Sequence, residues 1–194
     1  MHLYNAPKEI VDLLKNEYFN ESCSTITIEP VECVIDVKHP FSAFINDETT
    51  IILLAKEVLK SDAKLVIFDA NPMLTIRLVE NGLNKDSILL VGIQNWSQGE
   101  YSFLRQNNIK FYPLKEISID GAADVCDAIM SVCKDSPRLH VNVNESVLNS
   151  SGLTARELLY FIHRIRVLKS LKSMSFVMTG TNYLLFAKLA MELF

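Results

Sequence analysis

Leu65-Val66-Ile67-Phe68-Asp69-Ala70-Asn71-Pro72-Met73 is the stretch on which the reading of this chain turns. Four apolar residues in a row, two of them β-branched, fit a strand buried on both faces. The polar positions that follow alternate, and a strand ending in this way is where α/β enzymes place metal ligands and catalytic groups. Of these side chains only Asp69 is a good ligand for a hard cation, because Asn71 is neutral and Met73 is a thioether. The segment reads as the end of a strand shaped around an ion that its residues no longer suit.

Outward from that strand, short apolar runs alternate with helical periods. The sequence predicts strands at Thr25–Ile28, Val31–Val37, Lys64–Phe68, Ser87–Val91, Ile109–Tyr112, Arg138–Val143 and Met174–Met178, with Pro30 holding the first two at an edge or apart. Helices are expected over Met1–Glu17, Glu48–Lys60 (capped by Asp47 or Thr49), Met73–Glu80, Gln98–Gln106, Asp120–Cys133, Thr154–Leu168 and Tyr183–Leu193. Asn81-Gly82 closes the third of these, and Thr154-Ala155-Arg156-Glu157 reads as a capping box. Strands alternating with helices of this length imply right-handed βαβ units. The predicted fold is therefore a three-layer αβα arrangement, a mostly parallel sheet with helices on both faces. One domain over residues 1–194 is expected, with 1–40 as an N-terminal helix and edge strands.

Composition narrows the function classes. The chain has 194 residues, a net charge of -4, 49% hydrophobic and 22% charged residues, as expected of a compact globular protein. A negative balance argues against a nucleic-acid partner. The cluster Arg164, Arg166, Lys169 and Lys172 reads as solvated surface. Cys23, Cys33, Cys126 and Cys133 show no zinc spacing, and Cys126 and Cys133 lie about 10 Å apart along one helix, too far for a disulfide. Free thiols, an N-terminus interrupted by charge and no apolar run of ~20 residues point to a cytoplasmic protein without membrane association.

Ligands of such a sheet bind beyond the carboxyl ends of its strands, which are Phe44-Ile45-Asn46-Asp47-Glu48, the Asp69 segment, Asn142-Val143-Asn144-Glu145 and Thr179-Gly180-Thr181-Asn182. In this order the chain resembles the ureohydrolases, the family of arginase, agmatinase and formiminoglutamase. Their GGDH, FDAHPDL, DxD, GLTxRE and DIVEVNP-like motifs correspond to Ile45–Glu48, Phe68–Leu74, Asn142–Asn144, Gly152–Glu157 and Phe176–Asn182. The resemblance covers roughly Ile45 to Phe194 and implies an arginase-like fold, two manganese ions, and hydrolysis of linear amidines such as arginine or agmatine. It also implies a homo-oligomer or association with another protein.

Carried over position by position, the resemblance places the family's metal ligands at Glu48, Asp69, Asn71, Met73, Asn142 and Asn144, with its last acid at Gly180. At most two anions remain of about five needed to balance two dications and a bound hydroxide. The segments between Asp69 and the next helix, and between Asn144 and Gly152, are short where the family carries substrate loops. The expectation is a non-catalytic, manganese-free scaffold, regulatory or oligomerising subunit. Two alternatives are a hydrolase using one metal at a residual site of Asp47, Glu48 and Asp69, and a small-ligand binding module using Asn71, Asn142 and Asn144 as hydrogen-bonding amides. His39 is read as a loop residue, His140 as hydrogen-bonded within a buried strand, His163 as surface, and Trp96 as loop-edge packing.

Overall fold

Nearly every residue of the strands β4 (Ala63–Phe68), β5 (Ile88–Ile93) and β7 (Arg138–Asn144) is buried, which only a sheet covered on both faces can accommodate. A computed structural model describes residues 2–15, 27–29, 40–46, 48–59, 62–180 and 182–192. Five further strands complete the sheet: β1 (His2–Tyr4), β2 (Thr27–Glu29), β3 (Phe41–Ile45), β6 (Lys110–Pro113) and β8 (Leu171–Val177). Their order is β2-β1-β3-β8-β7-β4-β5-β6, and every pairing is parallel.

The helices are α1 (Lys8–Lys15), α2 (Glu48–Leu59), α3 (Met73–Glu80), α4 (Gln98–Gln106), α5 (Leu114–Asp120), α6 (Ala122–Cys133), α7 (Ala155–Ile165) and α8 (Tyr183–Met191). They bury two separate cores, one on each face of the sheet. Leu54, Leu74, Leu78 and Leu104 from α2 to α4 pack on Leu65, Ile67 and Leu90. Ile10, Ile129, Phe161 and Phe186 from the other helices pack on Val66, Phe68, Val141 and Phe176. Complete burial of an aliphatic or aromatic side chain stabilises by about 1.5–3 kcal/mol, so the two layers hold the sheet from both sides. The three-layer αβα prediction stands, and the sheet is parallel throughout its described pairings.

Several boundaries differ from the prediction. The N-terminal helix does not start at Met1: His2–Tyr4 form a strand, Asn5 turns the chain at φ 50°, and the helix begins at Lys8. The strand end read at Phe44-Ile45 is present, but the extent of that strand, Phe41–Ile45, went unpredicted because all five residues are buried, leaving no alternation to read. The expected Asp120–Cys133 helix is preceded by a separate one, and Gly121 at φ 92° breaks the two apart. The helix expected to reach Leu168 ends at Ile165, and Thr49 lies inside α2 rather than capping it. The capping box at Thr154 and Glu157 is present, with a second at Ser97 and Glu100. Cys126 and Cys133 are buried free thiols. Burial raises both to about 11, so neither is a ready nucleophile. Val31–Val37, Pro30, Cys23, Cys33, His39 and Asp47 lie outside the described residues.

Candidate functional site

The carboxyl ends of β4 and β7 meet at Asp69, which is 1% exposed. Its Oδ1 accepts from Ser146 Oγ at 2.7 Å and from the Asn71 N–H at 3.2 Å, while Oδ2 accepts from Asn144 Nδ2 at 3.1 Å. Asn144 has its other end committed too, since its Oδ1 accepts from the Ser146 N–H at 3.0 Å and caps the short 3-10 turn Glu145–Leu148. Those two contacts fix which way the amide faces: an N–H donor, not a lone pair, points at Asp69. Burial pushes the Asp69 carboxyl above the usual carboxylate range, against hydrogen bonds from Ser146, Asn71 and Asn144 that favour the charged form.

One residue further on, Glu145 performs a different task. Its Oε2 accepts from the Thr179 N–H at 2.7 Å and the Gly180 N–H at 2.5 Å, and Oε1 accepts from Asn182 Nδ2 at 2.6 Å. Burial alone would raise this carboxyl, but the donors together hold it below the usual range. A Cβ built on Gly180 would lie 2.8 Å from Glu145 Oε1. The Glu145 carboxylate thus fills the space that a side chain at position 180 would enter.

Asn142 faces elsewhere. It is buried beneath α2 and α3, beside a pocket of about 10 Å³ lined by Leu54, Leu74, His140 and Ser175. Its Nδ2 donates to Ser175 Oγ at 2.8 Å, and its Oδ1 has no partner among the described residues. Ser175 in turn reaches His140 Nε2 at 2.8 Å, and His140 Nδ1 reaches Ser173 Oγ at 2.6 Å. Both ring nitrogens of His140 are thus held by serine hydroxyls, each of which can donate or accept, so the neutral imidazole is satisfied in either tautomer. Desolvation pushes His140 down to about 3.

That value fixes a pH dependence. Below 6.5 the unfolded chain takes up a proton that the folded chain refuses until about 3. Stability from this group is therefore complete above 6.5 and is lost as the pH falls, at up to about 1.4 kcal/mol per pH unit. Urea denaturation from pH 7 to pH 4 should show this extra slope in the native chain and lose it in His140→Gln. Asp69 and Glu145 are common to both chains, so the difference isolates the imidazole.

The structure brings Asp69 and Asn144 together and adds Asn71 through its backbone N–H. The Asn71 side-chain oxygen accepts from the Met73 N–H at 3.2 Å, and Met73 itself is 41% exposed at the start of α3. Asp47 lies outside the described residues, and so does the Glu48 side chain. Asn71, Asn142 and Asn144 do not converge on one cavity. The nearby cavity of about 290 Å³ is lined by Asn5, Phe44, Asn46, Thr179, Gly180 and Tyr183, among others, and by none of those amides. Ser146 and Glu145 escaped the sequence reading, because their partners lie 77 and 34 to 37 positions away. The local signal was Asn144-Glu145-Ser146 itself, an Asx-type cap directly after a strand.

Two other sequence readings meet the structure on the surface. His163 is exposed and lies 3.3 Å from Glu192, while Arg164 and Arg166 pair with Asp127 and Glu192. Trp96 packs at a loop edge, its ring stacked 6.1 Å from Tyr101 and edge-on to Phe111 at 6.4 Å, and it remains 38% exposed.

The model of the arginase family matches residues 68–179, more than half of the chain. The chain belongs to the arginase family. Among solved structures, arginase from Bacillus subtilis superposes with a TM-score of 0.81 at 13% identity, over 100% of this chain and 97% of that one. Arginase from Entamoeba histolytica gives 0.76 at 14% identity over 98% and 95%, and formimidoylglutamase from Bacillus subtilis gives 0.76 at 14% over 99% and 86%. No curated protein matches the sequence. At these identities the superpositions establish the arginase-like fold. No described helix is long and apolar enough to cross a membrane.

Arginase-family enzymes are normally manganese-dependent. Two such ions require several anionic oxygens or imidazoles presenting free lone pairs. The described donors do not fit that requirement. Asp69 is engaged on both oxygens, Asn144 offers it an N–H, Asn142 is buried in the core, and Glu145 is engaged by Thr179, Gly180 and Asn182. Among the described residues no group of three or more His, Cys, Asp or Glu converges on one point.

Proposed function

We propose that this chain is a non-catalytic arginase-family protein, without the dinuclear manganese centre, that acts through its surface as a scaffold, regulatory or oligomerising subunit. One observation carries the reading: the Asn144 amide donates to Asp69, so the two strand ends that would share a metal are joined by a hydrogen bond instead. An amide in this role keeps the shape of an aspartate while removing the charge that manganese needs. The clamp of Glu145 on Thr179, Gly180 and Asn182 supports the same view, since it ties the end of β8 to β7 by protein groups alone.

The test is metal content and turnover of protein purified with manganese. Far less than one manganese per chain and no urea release from arginine or agmatine are expected. Thermal midpoints with manganese and with a chelator should coincide within about 1 °C, because a ligand that does not bind the native state cannot stabilise it. Stoichiometric manganese with urea release would overturn the proposal. Self-association is read from light scattering, and a strict monomer at high concentration would leave association with a different protein as the remaining form of the scaffold reading.

A further inference from the structure

The outer end of the sheet carries a broad groove of about 820 Å³ between α4 and β6. Trp96, Tyr101 and Phe111 form its aromatic floor with centroids 6.1 to 6.4 Å apart. Arg105 lies 6.0 Å over the Tyr101 ring. Trp96 and Tyr101 are 38% and 39% exposed, so each keeps part of its ring surface open to a visitor.

Around that floor stand Arg105, Lys110 and Lys115, all exposed. None of the three makes an ion pair with a described residue, unlike Arg164 and Arg166. The one carboxylate lining the groove, Glu116, is pushed above its usual range by burial and by Asp120. A local cationic rim on a chain of net charge -4 is a departure from the whole-molecule field. Three cations against one carboxylate leave the rim net positive, and an excess of one sign around an aromatic centre selects partners of the opposite sign and steers their approach.

We propose that this groove docks an acidic segment of a partner protein, with an aromatic or large aliphatic side chain seated on Trp96, Tyr101 and Phe111 and carboxylates facing Arg105, Lys110 and Lys115. Tryptophan, tyrosine and arginine are the residues that carry most binding energy at protein interfaces, which matches the composition of this floor and rim. The groove is too open to bury most of a small ligand, as a metabolite pocket does. A second copy of the chain is disfavoured, because a two-fold contact would set the same three cations against themselves. Lys110 and Pro113 also blunt the free edge of β6 against strand pairing, which leaves side-chain recognition as the mode of binding.

This inference deepens the scaffold reading by giving it a surface, and it rests on that reading. Trp96 is the only tryptophan of the chain, so its emission reports on the groove directly. The full chain is titrated with a short peptide alternating glutamate and phenylalanine, with a lysine-phenylalanine counterpart, and with free phenylpropionate. Saturable change with the acidic peptide in the micromolar range is expected, weakened by salt and at least about tenfold weaker in Arg105→Glu with Lys110→Glu. Circular dichroism of the variant should be unchanged, since both positions are on the surface.

No saturable change with the acidic peptide would overturn the proposal. So would equal binding of the basic peptide, or a response to phenylpropionate as tight as that to the acidic peptide, which would make the groove a small-anion site. An emission change driven by protein concentration alone, tracking a dimer in light scattering, would assign the groove to a second copy and also overturn it. Manganese content and urea release are independent of these residues. A failed peptide titration therefore leaves the scaffold reading standing, and metal with turnover would sink that reading without touching the titration.

Discussion

Gly152→Ala is expected to remove about 3 kcal/mol or more of folding stability, read as a fall in the urea midpoint at unchanged slope. The methyl group would be driven into the Val147 carbonyl oxygen and to within 2.8 Å of Gln94 Nε2. Backbone is on the receiving side of that clash, so no rotamer change can relieve it. The same carbonyl accepts from the Leu153 N–H at 2.8 Å, and the Gly152 N–H is held by Asn149 at 2.8 Å, so the loop cannot retreat without breaking its own bonds. Gln94 is bound on both sides as well, to Asn149 Oδ1 at 2.9 Å and Ser151 Oγ at 3.1 Å. Movement there loosens the Glu145–Leu148 turn and with it Ser146 on Asp69. Amide exchange at Ala70, which donates to Ser146 Oγ at 3.3 Å, should accelerate in the variant.

Glu145→Ala should cost a comparable amount, about 3 kcal/mol, and for an electrostatic reason. Three donors lose a charged acceptor at once, and each such hydrogen bond contributes about 1.5–3 kcal/mol before neighbouring water compensates. Glu145→Gln keeps the size and one acceptor oxygen, so about half that loss is expected. The depressed carboxyl sets the sign with pH. Its contribution is present above the usual carboxylate range and fades as acid protonates it in the folded chain, so the stability gap between the native chain and the Glu145→Gln variant should close on acidification. Gly180 supplies a control. Gly180→Ala is destabilising beside Glu145, whose Oε1 would lie 2.8 Å from the new methyl, and should be tolerated in the Glu145→Ala background. Additive losses in the double variant would refute the direct contact.

The elements from β4 onward were legible because their signals are local. Met73–Glu80 and Gln98–Gln106 were placed to the residue by a helix stop at Asn81-Gly82, by periodicity and by the Asn107-Asn108 turn. Strand β1 was not legible, since three residues carry too little pattern, and of β3 only the end at Phe44-Ile45 was, since five buried residues show no alternation. The candidate site divides in the same way. Asp69 and Asn144 could be found at strand ends by position, whereas the hydrogen bond between them spans 75 residues of sequence. Asn142 looks like its neighbour Asn144 in the sequence, yet the register of β7 against β8 sets it opposite Ser175, inside the core. Glu145 had no visible role until the turn at Thr179 and Gly180 was brought against it.

The order of strands has a consequence for how the chain comes to be made. β8, the strand furthest along the chain among the described residues, sits between β3 and β7, and the described pairings of β1 to β3 reach the rest of the sheet only across it. On a ribosome, β4 to β7 can assemble as they emerge, but β1, β2 and β3 must wait until Val177 has cleared the exit. β1 to β3 therefore stay without their partner strand while β4 to β7 are made, and this part of the sheet closes in one late, long-range step. A nascent chain arrested before Leu171 would hold a half-sheet with Leu139 and Val141 of β7 on an open edge, a natural substrate for chaperones. β8 is the keystone of this architecture.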